Sequence, residues 1–205
     1  MRVGLELCAL LPRGFDQPLD LDVPRDRITG LVVPDAHLAA ALVDAVTGIT
    51  PPLSGHVEVD GERVPPPAAG IASEIAFVPA DGGLLPNLTV QANITYGRRT
   101  GAGLQTGQVR PQLNLTAAEL NLLDVLDLHP HELTACRRLW VGLARALLRA
   151  PAALVLEDRA SHPGWSAQLT RRDPLDGVAV LVVADSPDRL TGFADTVEDL
   201  SERSR

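Results

Sequence analysis

Few residues in this chain carry obvious chemistry, and the first to consider is the acidic pair Glu157-Asp158. The pair follows the apolar run 153–156, so two carboxylates stand at the end of a buried strand. From there, acids can hold Mg²⁺ and orient a water. The reading preferred from sequence is plainer: two surface acids at a strand end. A second candidate place is the junction after the apolar run 28–33, where a strand feeds a helix. At such junctions glycine-rich loops close backbone N–H groups around phosphates, a lysine reaches the β- and γ-phosphates, and a Ser or Thr holds Mg²⁺. Here the residues are Val33-Pro34-Asp35-Ala36-His37-Leu38-Ala39-Ala40-Ala41, which make no such loop by themselves. All 18 basic residues of the chain are arginine, so any mechanism that needs a lysine ammonium is excluded. His37 has no evident nucleophile or orienting acid and reads as a surface or capping residue. Cys8 and Cys136 form no metal-ligand motif and no disulfide framework, which fits a reducing, cytoplasmic setting. No cofactor and no metal is expected.

The bulk numbers narrow the classes further. A length of 205 residues suffices for one core with a smaller subdomain packed on it. The composition, 45% hydrophobic and 21% charged, is that of a globular protein, and the 3% aromatic share means a core of Leu, Val, Ile and Ala. A net charge of -8 and isolated Arg-Arg pairs at 98–99, 137–138 and 171–172 argue against nucleic acid as partner. Glu6 stands where a signal peptide would carry its apolar run, and no apolar stretch reaches the roughly 18 residues of a membrane helix. The Asn-x-Thr sequons at Asn87, Asn93 and Asn114 therefore read as accidental.

The elements that must position these residues follow from periodicity. Leu19, Leu21 and Val23 alternate with Asp20 and Asp22, a half-buried strand. Residues 28–33, 75–78, 153–156 and 178–183 read as short buried strands. A helix is expected over 37–46, capped by Asp35 and stopped by Gly48. The alternating stretch 55–62 contains Asp60-Gly61, a hairpin signal. Breaks are expected at 65–67 and Gly70, a polar loop over about 97–107, helices near 117–126 and 137–148, and a frayed tail at 201–205. Buried strands alternating with helices predict an α/β fold on a largely parallel sheet. Trp140 and Trp165 read as packing residues.

Several segments resemble a known family. Thr47-Gly48-Ile49 and Ser54-Gly55-His56-Val57-Glu58-Val59-Asp60-Gly61 are similar to the segment after the phosphate loop of ABC ATPases. The stretch Ile75-Ala76-Phe77-Val78-Pro79-Ala80-Asp81-Gly82-Gly83-Leu84-Leu85-Pro86-Asn87-Leu88-Thr89-Val90-Gln91-Ala92-Asn93-Ile94 closely resembles that family's Q-loop segment. Residues 133–147, ending in Leu143-Ala144-Arg145-Ala146-Leu147, resemble its signature helix. Residues 151–158 resemble the Walker B strand, and 178–185 the strand before the H-loop. The resemblance covers nearly the whole chain in order. It implies an ABC-ATPase-like domain over 1–205, with a mostly parallel central sheet, flanking helices, an N-terminal antiparallel β subdomain and a small helical subdomain. The core would comprise 1–80 and 150–205, and the helical subdomain with the signature helix about 81–149.

The chemical positions depart from the family's pattern. Ala39 stands where the phosphate-binding lysine belongs and Ala40 where the Mg²⁺ hydroxyl belongs. Val33, Ala36 and Leu38 replace loop glycines, and their Cβ atoms would obstruct a phosphate. Ala80 takes the place of the Q-loop glutamine and Ala184 that of the switch histidine. The signature reads Leu133-Thr134-Ala135-Cys136-Arg137, and Glu157-Asp158 reverses the Walker B order. Arg137 reads as a solvated helix residue and Cys136 as a helix-borne structural cysteine. At the adenine-stacking aromatic the chain offers Leu10 or Leu11, with Phe15 nearby.

The expectation is thus a catalytically inactive ABC transporter ATP-binding-like subunit, a structural or regulatory partner of a membrane transporter complex. Two alternatives are an active ATPase with a site rebuilt on Glu157 and Asp158, and a soluble regulator without a membrane partner. The resemblance implies transmembrane subunits or an active ATP-binding subunit as partners, a hetero-oligomer, and a place on the inner face of the cell membrane. Leu84, Leu85, Pro86, Leu88 and Val90 are the implied docking residues for a coupling helix, or else they pack the helical subdomain.

Overall fold

The computed structural model describes residues 3–65, 74–97, 106–166, 169 and 175–201. The expected breaks at 66, 67 and 70, the loop over 98–105, the arginine pairs 98–99 and 171–172 and the tail 202–205 lie outside the described residues. The chain forms two compact units, residues 1–77 with 151–205, and residues 78–150.

The first unit contains two sheets. One is antiparallel, in the order β2-β1-β4-β5, from β1 (Val3–Leu11), β2 (Leu19–Pro24), β4 (Ser54–Val59) and β5 (Glu62–Arg63). Leu19, Leu21 and Val23 of β2 are buried while Asp20 and Asp22 are exposed, as their alternation predicts. The β4–β5 turn places Asp60 at φ 53° and Gly61 at φ 80°, the left-handed pair of a tight hairpin. The other sheet runs β6-β7-β8-β3-β9, from β3 (Ile28–Val32), β6 (Ile75–Val78), β7 (Ala153–Asp158), β8 (Ala179–Ala184) and β9 (Thr196–Asp199). Strands β7, β8, β3 and β9 are parallel, and β3 and β8 are buried along their whole length. Gly30 of β3 lets Leu190 pack directly on the strand, since a Cβ there would sit 2.6 Å from Leu190 Cδ1.

Helix α1 (Ala36–Thr47) follows β3, begins at Asp35 and ends at Gly48 with φ 76°. Its Leu42 and Val46 join Leu5, Leu7, Leu21 and Val23 of the antiparallel sheet and Leu181 and Val183 of β8 in one apolar core.

The second unit is helical: α2 (Val90–Thr95), α3 (Thr106–Glu119) and α4 (Ala135–Leu147), with 3₁₀ turns at Leu123–Val125 and Pro130–Glu132. Helix α2 packs on α3 and α4. Two glycines bring the 82–83 loop onto α4, since a Cβ on Gly142 would lie 2.6 Å from the Gly82 carbonyl oxygen. The expected helix over 117–126 is corrected: α3 stops at Glu119. Asn121 is left-handed, Leu122 N–H donates to the Ala117 carbonyl and Asn121 N–H to that of Ala118, a six-to-one closure that ends the helix. Among the described residues no helix is long and apolar enough to cross a membrane.

Candidate functional site

Parallel register brings the expected site residues of the first unit to one edge. Val32 pairs with Ala184 and Ala184 with Asp158, so β3, β8 and β7 end side by side. The Val33 amide donates to the Ala184 carbonyl at 2.8 Å. The carboxyl edge of a parallel sheet is where α/β folds place their ligands. Val33, Glu157, Asp158, Ala184 and the start of α1 all belong to it.

The start of α1 is filled from within. A helix begins with amide groups that have no partner along the helix, and these are the donors a phosphate would take. Here Asp35 Oδ1 accepts from the His37 amide at 2.8 Å and the Leu38 amide at 3.0 Å. Those two bonds, Leu38 first, hold the Asp35 carboxyl below the usual aspartate range, with the charges of His37 and Arg159 adding to the effect. The anion at this helix terminus is therefore the chain's own. Ala39 is 0% exposed and part of the core, so its position presents nothing to solvent, while Ala36 and Ala40 are exposed methyl groups. Leu38 packs against the core and would touch a Cβ on Gly14 at 3.0 Å. Beside it, Gly14, Phe15, Pro18, Leu19 and Leu200 line a hollow of about 80 Å³. Ligand sites for small molecules are larger, roughly 300–1,000 Å³. Leu10 is buried in the core, so of the expected stacking candidates it is Phe15 that reaches this hollow.

The acid pair is occupied as well. Asp158 is only 1% exposed, which corrects the expectation of two surface acids. Its Oδ1 accepts from Arg189 Nε at 2.6 Å and also faces Arg189 Nη2, and its Oδ2 accepts from the Trp165 amide at 2.9 Å. Arg189 Nη2 further donates to the carbonyls of Arg159 at 3.0 Å and His162 at 2.9 Å. The fully buried Trp165 donates its ring N–H to the Glu157 carbonyl at 2.8 Å, so it does pack, and also closes the site. Glu157 Oε1 accepts from Arg159 Nε at 3.1 Å, and Arg159 Nη1 donates to the Val33 carbonyl at 3.2 Å. Asp185, next to Ala184, accepts the Ala160 amide through Oδ2 at 2.7 Å. Among the described residues, Arg159 Nη2 and Asp185 Oδ1 are buried with no hydrogen-bond partner.

This donor set does not fit ATP with Mg²⁺. The cation would need carboxylate oxygens that arginines already engage, and the phosphates would need amides that Asp35 already holds. Arg159, Asp185 and Arg189 escaped the sequence reading. Arg159 had a signal, being the residue directly after the acid pair. Arg189 had none, because it reaches Asp158 across 31 positions.

In the second unit Ala80 is buried at 5%. Thr134 caps α4, its Oγ1 accepting from the Arg137 amide at 3.3 Å, and Ala135 opens the helix. Cys136 is exposed, which corrects its reading as a structural cysteine, because it lies on the outer face of the first turn. Arg137 pairs with Asp124 at 2.7 Å and holds that carboxyl below its usual range. Arg145 donates to the carbonyls of Gly83 at 2.7 Å and Gly82 at 3.0 Å, and burial lowers its basicity. In the implied docking segment Leu84, Leu85 and Leu88 are half-buried and Pro86 is exposed. Val90 is 0% exposed, so it is corrected from docking residue to core residue as the first residue of α2. Asn93 organises the segment: its Nδ2 donates to the carbonyls of Leu85, Leu88 and Thr89 at 3.0, 3.0 and 3.1 Å, and its Oδ1 accepts the Leu85 amide at 2.8 Å. In the sequence Asn93 reads as a chance sequon within the segment that resembles a Q-loop, and nothing local announces this role.

A largely parallel five-stranded sheet with the expected site residues at its carboxyl edge, an antiparallel sheet and a helical unit make an α/β fold. The structure of CbiO1 from Clostridium perfringens, part of the ABC transporter complex cbiONQ, superposes with a TM-score of 0.81 over 97% of this chain and 85% of that one, at 18% identity. The family model described as ABC transporter matches residues 17–160, and the chain belongs to this family. The Fe(3+) ions import ATP-binding protein FbpC of Yersinia pestis is 27% identical over 189 residues, 87% of this chain and 53% of that protein. The sn-glycerol-3-phosphate import ATP-binding protein UgpC 3 of Rhizobium johnstonii is 28% identical over 144 residues, 70% of this chain and 41% of that protein. The chain spans about half the length of these relatives.

Proposed function

We propose that this chain is an ATP-binding-type subunit of an ABC transporter whose nucleotide site has been closed by its own side chains, so that it neither binds nor hydrolyses ATP. The observation that carries this reading is the Asp35 carboxylate on the His37 and Leu38 amides, where a phosphate would otherwise lie. The arginine pairing of Glu157 and Asp158 and the buried methyl of Ala39 point the same way. Neither Ala80 nor Ala184 offers a polar group to a nucleophilic water, and Thr134-Ala135-Cys136-Arg137 replaces the glycine-rich signature that would close on a partner's ATP.

What the subunit retains is a scaffold and a surface. It acts as a structural or regulatory partner on the cytoplasmic face of a membrane transporter, in a heteromer with transmembrane subunits or with an active ATP-binding subunit. Leu84, Leu85, Pro86 and Leu88, fixed by Asn93, form the surface for a membrane subunit's helix. Without nucleotide-driven closure the subunit holds one geometry throughout a transport cycle.

One observation favours a second reading, an ATPase with a rebuilt site. Arg159 Nη2 is buried without a partner among the described residues, and an arginine fork can bind phosphate. Phosphate release by purified chain, with and without Mg²⁺, separates the two. No turnover above a no-protein control supports the closed site. Mg²⁺-dependent turnover lost in Glu157→Gln and Arg159→Ala would establish the rebuilt one.

A further inference from the structure

The outer face of the antiparallel sheet holds a cluster that the nucleotide site does not use. Cys8 of β1 lies directly opposite His56 of β4, and Glu58 is two residues further along β4, so the three side chains leave one face. The alternate residues Leu5, Leu7, Val57 and Val59 enter the core, which makes this the solvent side. Cys8, His56 and Glu58 each place one ligand-type atom within 4.8 Å of the others, and His56 Nε2 lies 2.8 Å from Glu58 Oε1. His56 and Glu58 are 32% and 26% exposed, open enough for an ion to enter.

The neighbouring row adds an independent sign. Asp22, Glu6 and Glu58 stand directly opposite one another across β2, β1 and β4, and like charges in such register oppose sheet formation. Arg63, opposite Glu58, offsets part of this repulsion. Asp20 is tied to the Ala9 amide at 2.7 Å. A bound divalent cation, after Cys8 gives up its proton, adds one net positive charge beside Glu58 and reduces the remainder.

We infer that Cys8, His56 and Glu58 form a divalent-cation site that joins β1 to β4, with Zn²⁺ as the cation that fits and water in the fourth position. Thiolate and imidazole select a borderline-soft ion over Mg²⁺ or Ca²⁺. Three protein ligands with one open position is a common zinc arrangement, with donor atoms about 2.0–2.3 Å from the metal. As the ion binds, the Cys8 Sγ–H bond breaks, a sulfur–metal bond forms and the proton passes to solvent. Burial, and then the charges of Glu58, Glu6, Asp20 and Asp22, push the Cys8 thiol above its usual range, so in the absence of an ion it is a poor nucleophile. That argues against a reactive-thiol role for the same residues. The ligands sit on two strands 48 positions apart, so no sequence motif announces them.

Metal alone tests this on the full chain, whatever the fate of the nucleotide site. Zn²⁺ is titrated by calorimetry, and Co²⁺ is used for its thiolate charge-transfer band in the near ultraviolet. The expected result is one ion per chain, a band present in Cys136→Ser and absent in Cys8→Ser, and affinity reduced by about tenfold or more in His56→Ala and Glu58→Gln. Zn²⁺ should also slow alkylation of Cys8 while leaving the exposed Cys136 unprotected, and circular dichroism establishes that each variant is folded. Absence of stoichiometric binding overturns the site, as does binding that survives in folded Cys8→Ser or that disappears in Cys136→Ser.

Discussion

Replacing Arg189 by alanine tests the acid end of the proposed closed site with a single change. The substitution removes both nitrogens that face Asp158 Oδ1 and leaves that carboxylate buried with the Trp165 amide on Oδ2. Breaking a buried pair by removing one partner costs roughly 3–5 kcal/mol. The Arg189 side chain is 23% exposed and that of Asp158 0%, so water can replace part of what is lost. The low end, about 3 kcal/mol, is therefore expected. For a chain of this size that is a fall in Tm of roughly 6–12 °C. Asp158→Asn should cost less, because Arg189 keeps its bonds to the carbonyls of Arg159 and His162. The double variant should then be more stable than the sum of the two losses predicts, with a coupling of about 1 kcal/mol or more. Calorimetric melting of the four proteins gives the cycle. A Tm for Arg189→Ala within about 1 °C of the parent, with no coupling, would mean that Asp158 is not held by Arg189. The carboxylate would then be available for Mg²⁺, and the closed site would fail at its acid end.

Asp35 makes a pH-dependent contribution of known sign. Its folded carboxyl lies below the ordinary 3.8, so its stabilisation is fully present above that value and is lost as the pH falls through the lower, folded one. Melting of Asp35→Asn against the parent should show a constant deficit at neutral pH that closes in acid; a deficit that persists in acid would mean the cap does not act through its charge. Asn93→Leu strips the partners from the Leu85 amide and the Leu88 carbonyl, while the Leu85 carbonyl keeps the Leu88 amide, at a cost of about 1–3 kcal/mol. Limited proteolysis should then cut residues 85–89 faster, and an unchanged cleavage rate would remove Asn93 as the organiser of the docking segment.

Much of the scaffold could be read from local pattern because its causes are local. Asp35 and Gly48 bound α1 through side-chain capping and a left-handed turn, and both are visible in sequence. The apolar runs 153–156 and 178–183 carry no polar side chain, and 28–33 carries only Thr29, so these strands announce their burial. The end of α3 was missed because Asn121, not glycine, takes the left-handed position, and asparagine there gives a weaker signal. Ala39, Ala80 and Ala184 read in sequence as departures from a family pattern, and on the proposed reading they mark lost chemistry. The contacts that occupy these positions in the fold were not legible. Asp158 was read as a surface acid because its partner Arg189 lies on a later turn, and Val90 as a docking residue because exposure within a short apolar segment depends on tertiary packing. Asn93 and the pairing of Cys8 with His56 are likewise contacts made by folding.

The most direct measurement is equilibrium binding of ATP to the purified chain, by calorimetry at millimolar nucleotide with and without Mg²⁺. The prediction is no binding heat in either condition and no change on adding Mg²⁺. Saturable binding that strengthens with Mg²⁺ would contradict the closed site, and would mean that Asp35 gives way to phosphate at the start of α1.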